Sequence, residues 1–169
     1  MSEEDPNEVS AATAQTLTVI SGAMAGGLTL MAGLVAYSYG GSTGRTPTPD
    51  QLRTINLLTT VAMAGAAGAI FASELLWRRV LLATKGPLSA RVQTAFIPRM
   101  ACREGAGLLG MTVAYVAALN GALRLYPAYW ANLVPYALFL GFLATHWPSA
   151  ARLTADAREV LGPDRVLDP

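Results

Sequence analysis

The feature that most constrains this chain is the stretch 17–39, which contains no charged side chain. A helix needs about 20 mostly apolar residues to cross the roughly 30 Å hydrocarbon layer of a bilayer. Segments 57–77, 96–123 and 125–147 also have the required length, and none shows the polar face at a 3.6-residue period that a soluble helical bundle displays. The sequence therefore predicts an all-α, integral membrane four-helix bundle with spans at about 17–39, 57–77, 96–123 and 125–147. Pro135 is expected to bend the fourth span.

Composition agrees with this fold class and argues against several functions. Hydrophobic residues make up 53% of the chain and charged residues 14%, whereas soluble domains carry about 25% charge. The net charge of +1 gives no reason to expect a nucleic-acid partner. With one histidine, His146, one cysteine, Cys102, and no nucleophile–base set or phosphate loop, we expect no metal, no cofactor and no enzymatic activity.

The remaining segments set the domain organisation. Residues 1–15 form an acidic N-terminal segment, and 16–148 form the membrane domain. Residues 149–169 form a charged C-terminal tail, which has room for one short surface helix before Gly162.

Basic residues predict the orientation, because they are retained on the cytoplasmic side of a membrane protein. With four spans, both termini and the middle loop share one side. That side holds nine basic residues: Arg78, Arg79, Lys85, Arg91, Arg99, Arg103, Arg152, Arg158 and Arg165. The other side holds three: Arg45, Arg53 and Arg124. We therefore expect both termini in the cytoplasm. The preference for arginine over lysine is typical of a GC-rich genome, and the inner membrane of a bacterium is the expected location.

Small residues recur at helical spacing within the first three predicted spans. Helices in lipid associate through close van der Waals contact, which small residues allow. The candidates for helix packing are Gly22, Gly26, Gly65, Gly68, Gly107, Gly110 and Ala114. They either pack the four helices of one monomer or face outward and join subunits. The expected partners are therefore the lipid bilayer and other membrane subunits, identical or different.

Ionisable residues inside spans are costly and mark candidate functional sites. Two antiparallel spans bring five of them toward the same end: Glu74, Arg78, Arg99, Arg103 and Glu104. One interpretation is a structural clasp, in which arginines reach the interface and pair with the carboxylates. The other interpretation is that one of these two carboxylates, Glu74 or Glu104, has a functional role.

A resemblance bears on the second interpretation. Residues 85–121, KGPLSARVQTAFIPRMACREGAGLLGMTVAYVAALNG, resemble the loop and C-terminal helix of the proteolipid c subunit of rotary ATP synthases. Lys85 and Pro87 correspond to the cytoplasmic loop of that family, and Glu104 to its ion-carrying carboxylate. The resemblance implies that Glu104 is an ion-carrying candidate. The chain as a whole also resembles small four-helix bacterial membrane proteins.

Three functions are compatible with these features. The first is a non-catalytic membrane subunit, a scaffold or accessory component of a homo-oligomeric or multi-subunit complex. The second is proton or cation translocation by a proteolipid-like subunit that uses Glu104. The third is binding of a lipid or quinone between the helices.

Overall fold

The computed structural model of the chain describes residues 7–162, and every regular element within them is helical. The predicted all-α class is therefore confirmed. The acidic segment is described only from Asn7 onward and the C-terminal tail only as far as Gly162, so Arg165 lies outside the described residues. The elements are α1 (Ala11–Gly41), α2 (Pro49–Ala83), α3 (Leu88–Leu119), the single turn α4 (Ala122–Leu125), a 3₁₀ helix (Pro127–Leu133), α5 (Val134–Thr145) and α6 (Ala150–Leu161).

Local capping explains where the long helices begin. The Ser10 hydroxyl accepts a hydrogen bond from the backbone N–H of Thr13 and caps α1. Thr48 and Gln51 form a reciprocal capping box at the start of α2, with Pro49 in its first turn. Both devices satisfy backbone donors that have no partner inside a helix. These starts lie outside the predicted spans, so α1 and α2 are longer than the apolar segments they contain.

The last predicted span differs in its local structure. We expected one helix over 125–147, bent at Pro135. Instead α5 begins at Val134, with Pro135 in its first turn, where a missing N–H costs no helical hydrogen bond. At 12 residues α5 is about 18 Å long, which is too short to cross a bilayer alone. The preceding 3₁₀ helix extends it into an apolar segment of 19 residues, Pro127–Thr145.

Helix α3 is the centre of the molecule. It contacts α1, α2 and α5, whereas α1 and α2 each pack against α3 rather than against one another. Its buried face includes Phe96, Met100 and Met111. By contrast, α1 buries one narrow stripe, consisting of Ala14, Leu17, Ser21, Leu28 and Val35. The fold is therefore a layer of α1, α3 and α2, with α5 packed on α3.

Three helical segments are long and apolar enough to cross a membrane: α1, α2 and Pro127–Thr145. Within the most apolar stretches of α1 and α2, only 17% of the residues are buried, so these helices present apolar surface to their surroundings. Helix α3 is not one of the three, because Arg99, Arg103 and Glu104 interrupt its apolar sequence. A four-span bundle thus requires α3 to cross packed against the more apolar α1, α2 and Pro127–Thr145.

Hydrogen bonds tie together the connections at each end of the bundle. At one end the backbone N–H of Val9 donates to the Thr154 hydroxyl of α6, and the N–H of Ser10 donates to the hydroxyl of Ser89 at the start of α3. At the other end Arg45 donates to the carbonyl of Leu119 and Arg124 donates to that of Tyr39. The beginning of α1, the α2–α3 connection and α6 therefore share one end.

The predicted packing residues fall into two groups. Gly107 and Gly110 of α3 are buried together with Ala114. A Cβ on Gly107 would lie 3.0 Å from Leu28 of α1, and a Cβ on Gly110 would overlap the backbone carbonyl oxygen of Asn132. These glycines allow α1 and the 3₁₀ helix to approach α3 closely.

The other predicted glycines lie on the outside. A Cβ on Gly22 or Gly26 of α1, or on Gly68 of α2, would have nothing within 4 Å among the described residues. A Cβ on Gly65 would make an ordinary contact of 3.5 Å with Leu109. Gly22, Gly26 and Gly68 therefore do not hold this monomer together.

We predict that Gly110→Ala and Gly68→Ala have opposite consequences. The first forces backbone apart at the Asn132 carbonyl and should lower the free energy of unfolding by about 1–3 kcal/mol. The second adds a methyl group in open space on a helix, where alanine is the better helix former, and should leave stability unchanged or slightly raised. Thermal unfolding in detergent, followed by tryptophan fluorescence, distinguishes them. Equal losses would show that α3 and the 3₁₀ helix do not approach as described.

Candidate functional site

The candidate site is an ion-pair cluster in which Glu74 of α2 accepts hydrogen bonds from two arginines of α3. Arg99 Nη2 lies 3.0 Å from Oε1 and 2.9 Å from Oε2 of Glu74, and its Nε lies 3.3 Å from Oε1. Arg103 Nη2 also donates to Oε1. One carboxylate therefore holds two guanidinium groups, in the charge-assisted geometry that gives the strongest protein hydrogen bonds.

Helix periodicity places these three side chains together. Arg99 and Arg103 are four residues apart, so they lie on the same face of α3, and that face meets α2. The arginine side chains are only 8% and 12% exposed, whereas that of Glu74 is 41% exposed. The cluster is thus closed toward α3 and open beside Glu74. Arg103 Nε is buried and has no hydrogen-bond partner within residues 7–162.

Aromatic side chains complete the enclosure of the arginines. The Arg99 guanidinium lies 4.9 Å from the Trp77 ring centre and 4.8 Å from that of Phe142. The Arg103 guanidinium lies 3.9 Å from the Phe142 ring centre. Cations at these distances over ring faces are attracted by the ring quadrupole. Phe142 thereby links α5 to a cluster that otherwise joins only α2 and α3.

A polar cavity of about 170 Å³ lies beside Glu74 and Arg99. Arg78, the fourth predicted member of the cluster, lines this cavity rather than pairing with Glu74. The other polar residues that line the cavity, besides Glu74, Arg78 and Arg99, are His146, Asp156 and Glu159. Asp156 and Glu159 belong to α6, which packs against α2 and closes this end of the bundle.

Sequence reasoning missed three contributors to this site: Trp77, Phe142 and the acidic residues of α6. The aromatic residues gave no signal beyond their place near the ends of apolar segments. For α6 a signal was present, because Leu153, Ala157 and Leu161 recur every fourth residue and are all buried. That spacing is typical of a helix with one apolar face.

Glu104, the fifth predicted member, lies apart from the cluster. Although its neighbour Arg103 turns toward Glu74, Glu104 is partly exposed and forms no ion pair or hydrogen bond within residues 7–162. Ala101 and Leu108, one turn to either side of it, are exposed. Glu104 therefore lies on the outward face of α3. Its neighbour Cys102 lines an apolar cleft between α2 and α3.

The chemistry available to the Glu74 cluster is limited by its geometry. Oε1 of Glu74 accepts three of the four hydrogen bonds from the two arginines and Oε2 accepts one, so most of the acceptor capacity of the carboxylate is used within the cluster. Across the described part of the chain no group of three or more potential metal ligands occurs. The arrangement is suited to joining α2, α3 and α5.

Comparison with known proteins adds no relative. The chain matches no protein-family model, no curated protein and no solved structure. These comparisons therefore do not bear on the resemblance of residues 85–121 to the proteolipid c subunit.

We predict that Glu74→Gln destabilises the protein and that Glu104→Gln, the same chemical change one helix away, does not. The first leaves two nearly buried guanidinium groups without a counter-charge, and the expected loss is about 2 kcal/mol. The second removes a carboxylate that has no hydrogen-bond or ion-pair partner within residues 7–162. Thermal unfolding of the two purified variants in the same detergent measures the difference. Equal stability of both variants would contradict the role of the cluster.

Proposed function

We propose that the chain is a non-catalytic, multi-pass membrane subunit that assembles with other membrane helices through its outward small-residue faces. The observation that carries this proposal is the orientation of Gly22 and Gly26 on α1 and Gly68 on α2, which face away from all described residues. Glycine on a helix surface gives lipid little to contact, but it lets the backbone of another helix approach. A scaffold or accessory role follows from such a surface.

Membrane insertion with four spans is part of this proposal. α1, α2 and Pro127–Thr145 are apolar enough to cross, and α3 crosses among them with its arginines turned inward to Glu74. The end that carries the α2–α3 connection and α6 holds most of the basic residues. By the positive-inside rule, this end faces the cytoplasm, and we place the protein in the inner membrane of a bacterium.

The Glu74 cluster supports a structural role within this function. Its arginines are enclosed by Trp77 and Phe142 and both donate to one carboxylate. In this proposal the cluster is a clasp that keeps α2, α3 and α5 in register. Because α1 packs on the same α3, the outer faces of α1 and α2 then have a defined position relative to one another.

Ion translocation by a ring of proteolipid-like subunits is a second candidate function. The observation that favours it is Glu104, a carboxylate without an ion-pair partner on the outward face of α3. A third candidate, lipid or quinone binding, is favoured by the apolar cleft of about 560 Å³ between α2 and α3. The composition of the native particle separates the second candidate from the first, because the second requires a closed ring of this chain.

We predict that Gly26→Leu reduces the mass of the native particle solubilised in a mild detergent. A leucine on the outward glycine face should separate a partner helix and release the chain from its assembly. Monomer folding should be unaffected, because Gly26 is exposed and a Cβ there has nothing within 4 Å among the described residues. The matched control is Gly27→Leu, which adds the same bulk at an exposed position about 100° further around α1, where a Cβ likewise has nothing within 4 Å among the described residues. Light scattering coupled to gel filtration, with subunit identification, gives the mass.

Two results would contradict the proposed function. A wild-type particle with the mass of one chain would show that no assembly exists. A mass that falls equally with both variants would show that the glycine face is not the contact. A homogeneous ring of this chain alone would instead favour ion translocation.

A further inference from the structure

The outward face of α3 carries one charge that nothing in the described chain neutralises. Exposed residues follow one another at helical spacing along this face: Ala90, Thr94, Ile97, Ala101, Leu108 and Thr112. Glu104 lies in the same stripe, between Ala101 and Leu108, and has no ion-pair partner within residues 7–162. It is also at the middle of α3, about 24 Å from the start of the helix.

That position makes the lone carboxylate costly. The middle of a helix as long as α3 falls within the hydrocarbon layer when the helix crosses the bilayer. Charged side chains at this depth are rare and are normally paired or turned toward water. Arg99 and Arg103 obey this rule through Glu74. Glu104 does not: within residues 7–162 it has no counter-charge, so at this depth it needs either a bound proton or a cation from another molecule.

An open cleft next to Glu104 has room for the donor of that charge. The cleft runs between α2 and α3, has a volume of about 560 Å³ and is bordered by Ala101 and Leu108 on either side of Glu104. Small side chains line much of it, including Ala62, Ala69 and Gly105. Small residues admit the close approach of another helix.

Among residues 7–162, a second copy of this chain offers no exposed cation on α1 or α2 at the depth of Glu104. Residues 17–39 of α1 carry no charge. On α2 the exposed cations are Arg53, Arg78 and Arg79, which lie near the helix ends. A twofold contact through this face places the same patch on both subunits, so it brings a second carboxylate and no cation of this stripe to the interface.

We propose that the α2–α3 cleft is the docking site for a transmembrane helix of a different protein, and that this helix presents a lysine or arginine to Glu104. The inference rests on the proposed function, because it names the partner chemistry of a membrane subunit. The cleft provides the contact area, and the ion pair with Glu104 sets the depth and register of the incoming helix. Helices with an apolar residue at that depth leave the carboxylate unpaired and are rejected.

Photo-crosslinking in native membranes tests this proposal. A photoreactive amino acid replaces Leu108, which borders the cleft, or Leu30, a control on the outer face of α1 that is 75% exposed. We expect the Leu108 probe to form one adduct whose peptide belongs to a transmembrane helix of another protein that contains a lysine or arginine. Glu104→Gln should reduce this adduct about tenfold, whereas Glu159→Gln, a change on α6, should not. Glu104→Lys combined with exchange of the partner's basic residue for glutamate should restore it.

Three results would overturn the proposal: adducts with lipid alone, adducts with a second copy of this chain, or a partner adduct that persists in the Glu104→Gln variant. The particle mass tests the proposed function separately. A multi-subunit particle that gives only lipid adducts at Leu108 would refute the docking site and leave the assembly role standing, whereas a particle of one chain would refute both.

Discussion

The structure depends on how two arginines near the middle of α3 are accommodated among mostly apolar helices. Arg99 and Arg103 point inward, where Glu74 of α2 accepts from both and Phe142 of α5 lies against both guanidinium groups. Taking charges out of water is compensated only when pairing and hydrogen bonding are nearly complete. The cluster therefore determines which faces of α2, α3 and α5 meet, and it makes the least apolar long helix the central one.

Helices α1 and α2 pack mainly on α3, so the other described helices leave most of their apolar surface uncovered. Helix α1 buries one stripe against α3, and its glycine face points away. The two ends of the bundle are closed differently. At the basic end α6 covers the cavity beside Glu74, and at the other end Arg45 and Arg124 bond to backbone carbonyls. The contacts within residues 7–162 thus leave the outer faces of α1 and α2 uncovered, which is the surface that the proposed assembly role uses.

The position of a helix was predictable where a long apolar segment can form only a membrane-spanning helix. The direction of a side chain was not predictable where it depends on which helix packs beside it. The stretch 17–39 predicted α1, and the antiparallel order of α2 and α3 brought Glu74 near Arg99. The direction of each glycine could not be predicted, since Gly22 and Gly110 occupy similar sequences but opposite environments. Likewise Arg103 could pair with either glutamate, and its rotation toward Glu74 follows from the contact between α2 and α3. In the 3₁₀ helix at Pro127–Leu133, Asn132 packs closely on Gly110. The spacing of apolar residues in the sequence gives no indication of this contact.

The central claim is that α3 crosses the bilayer despite its charges, and accessibility of single cysteines tests it most directly. In a Cys102→Ser background, cysteine replaces Thr43, Lys85, Leu125 or Ala151, one for each connection and for α6. In intact cells an impermeant maleimide should label the cysteines at positions 43 and 125. Those at 85 and 151 should react only after permeabilisation. Equal labelling at 85 and 125 would place both ends of α3 on the same side and contradict the account.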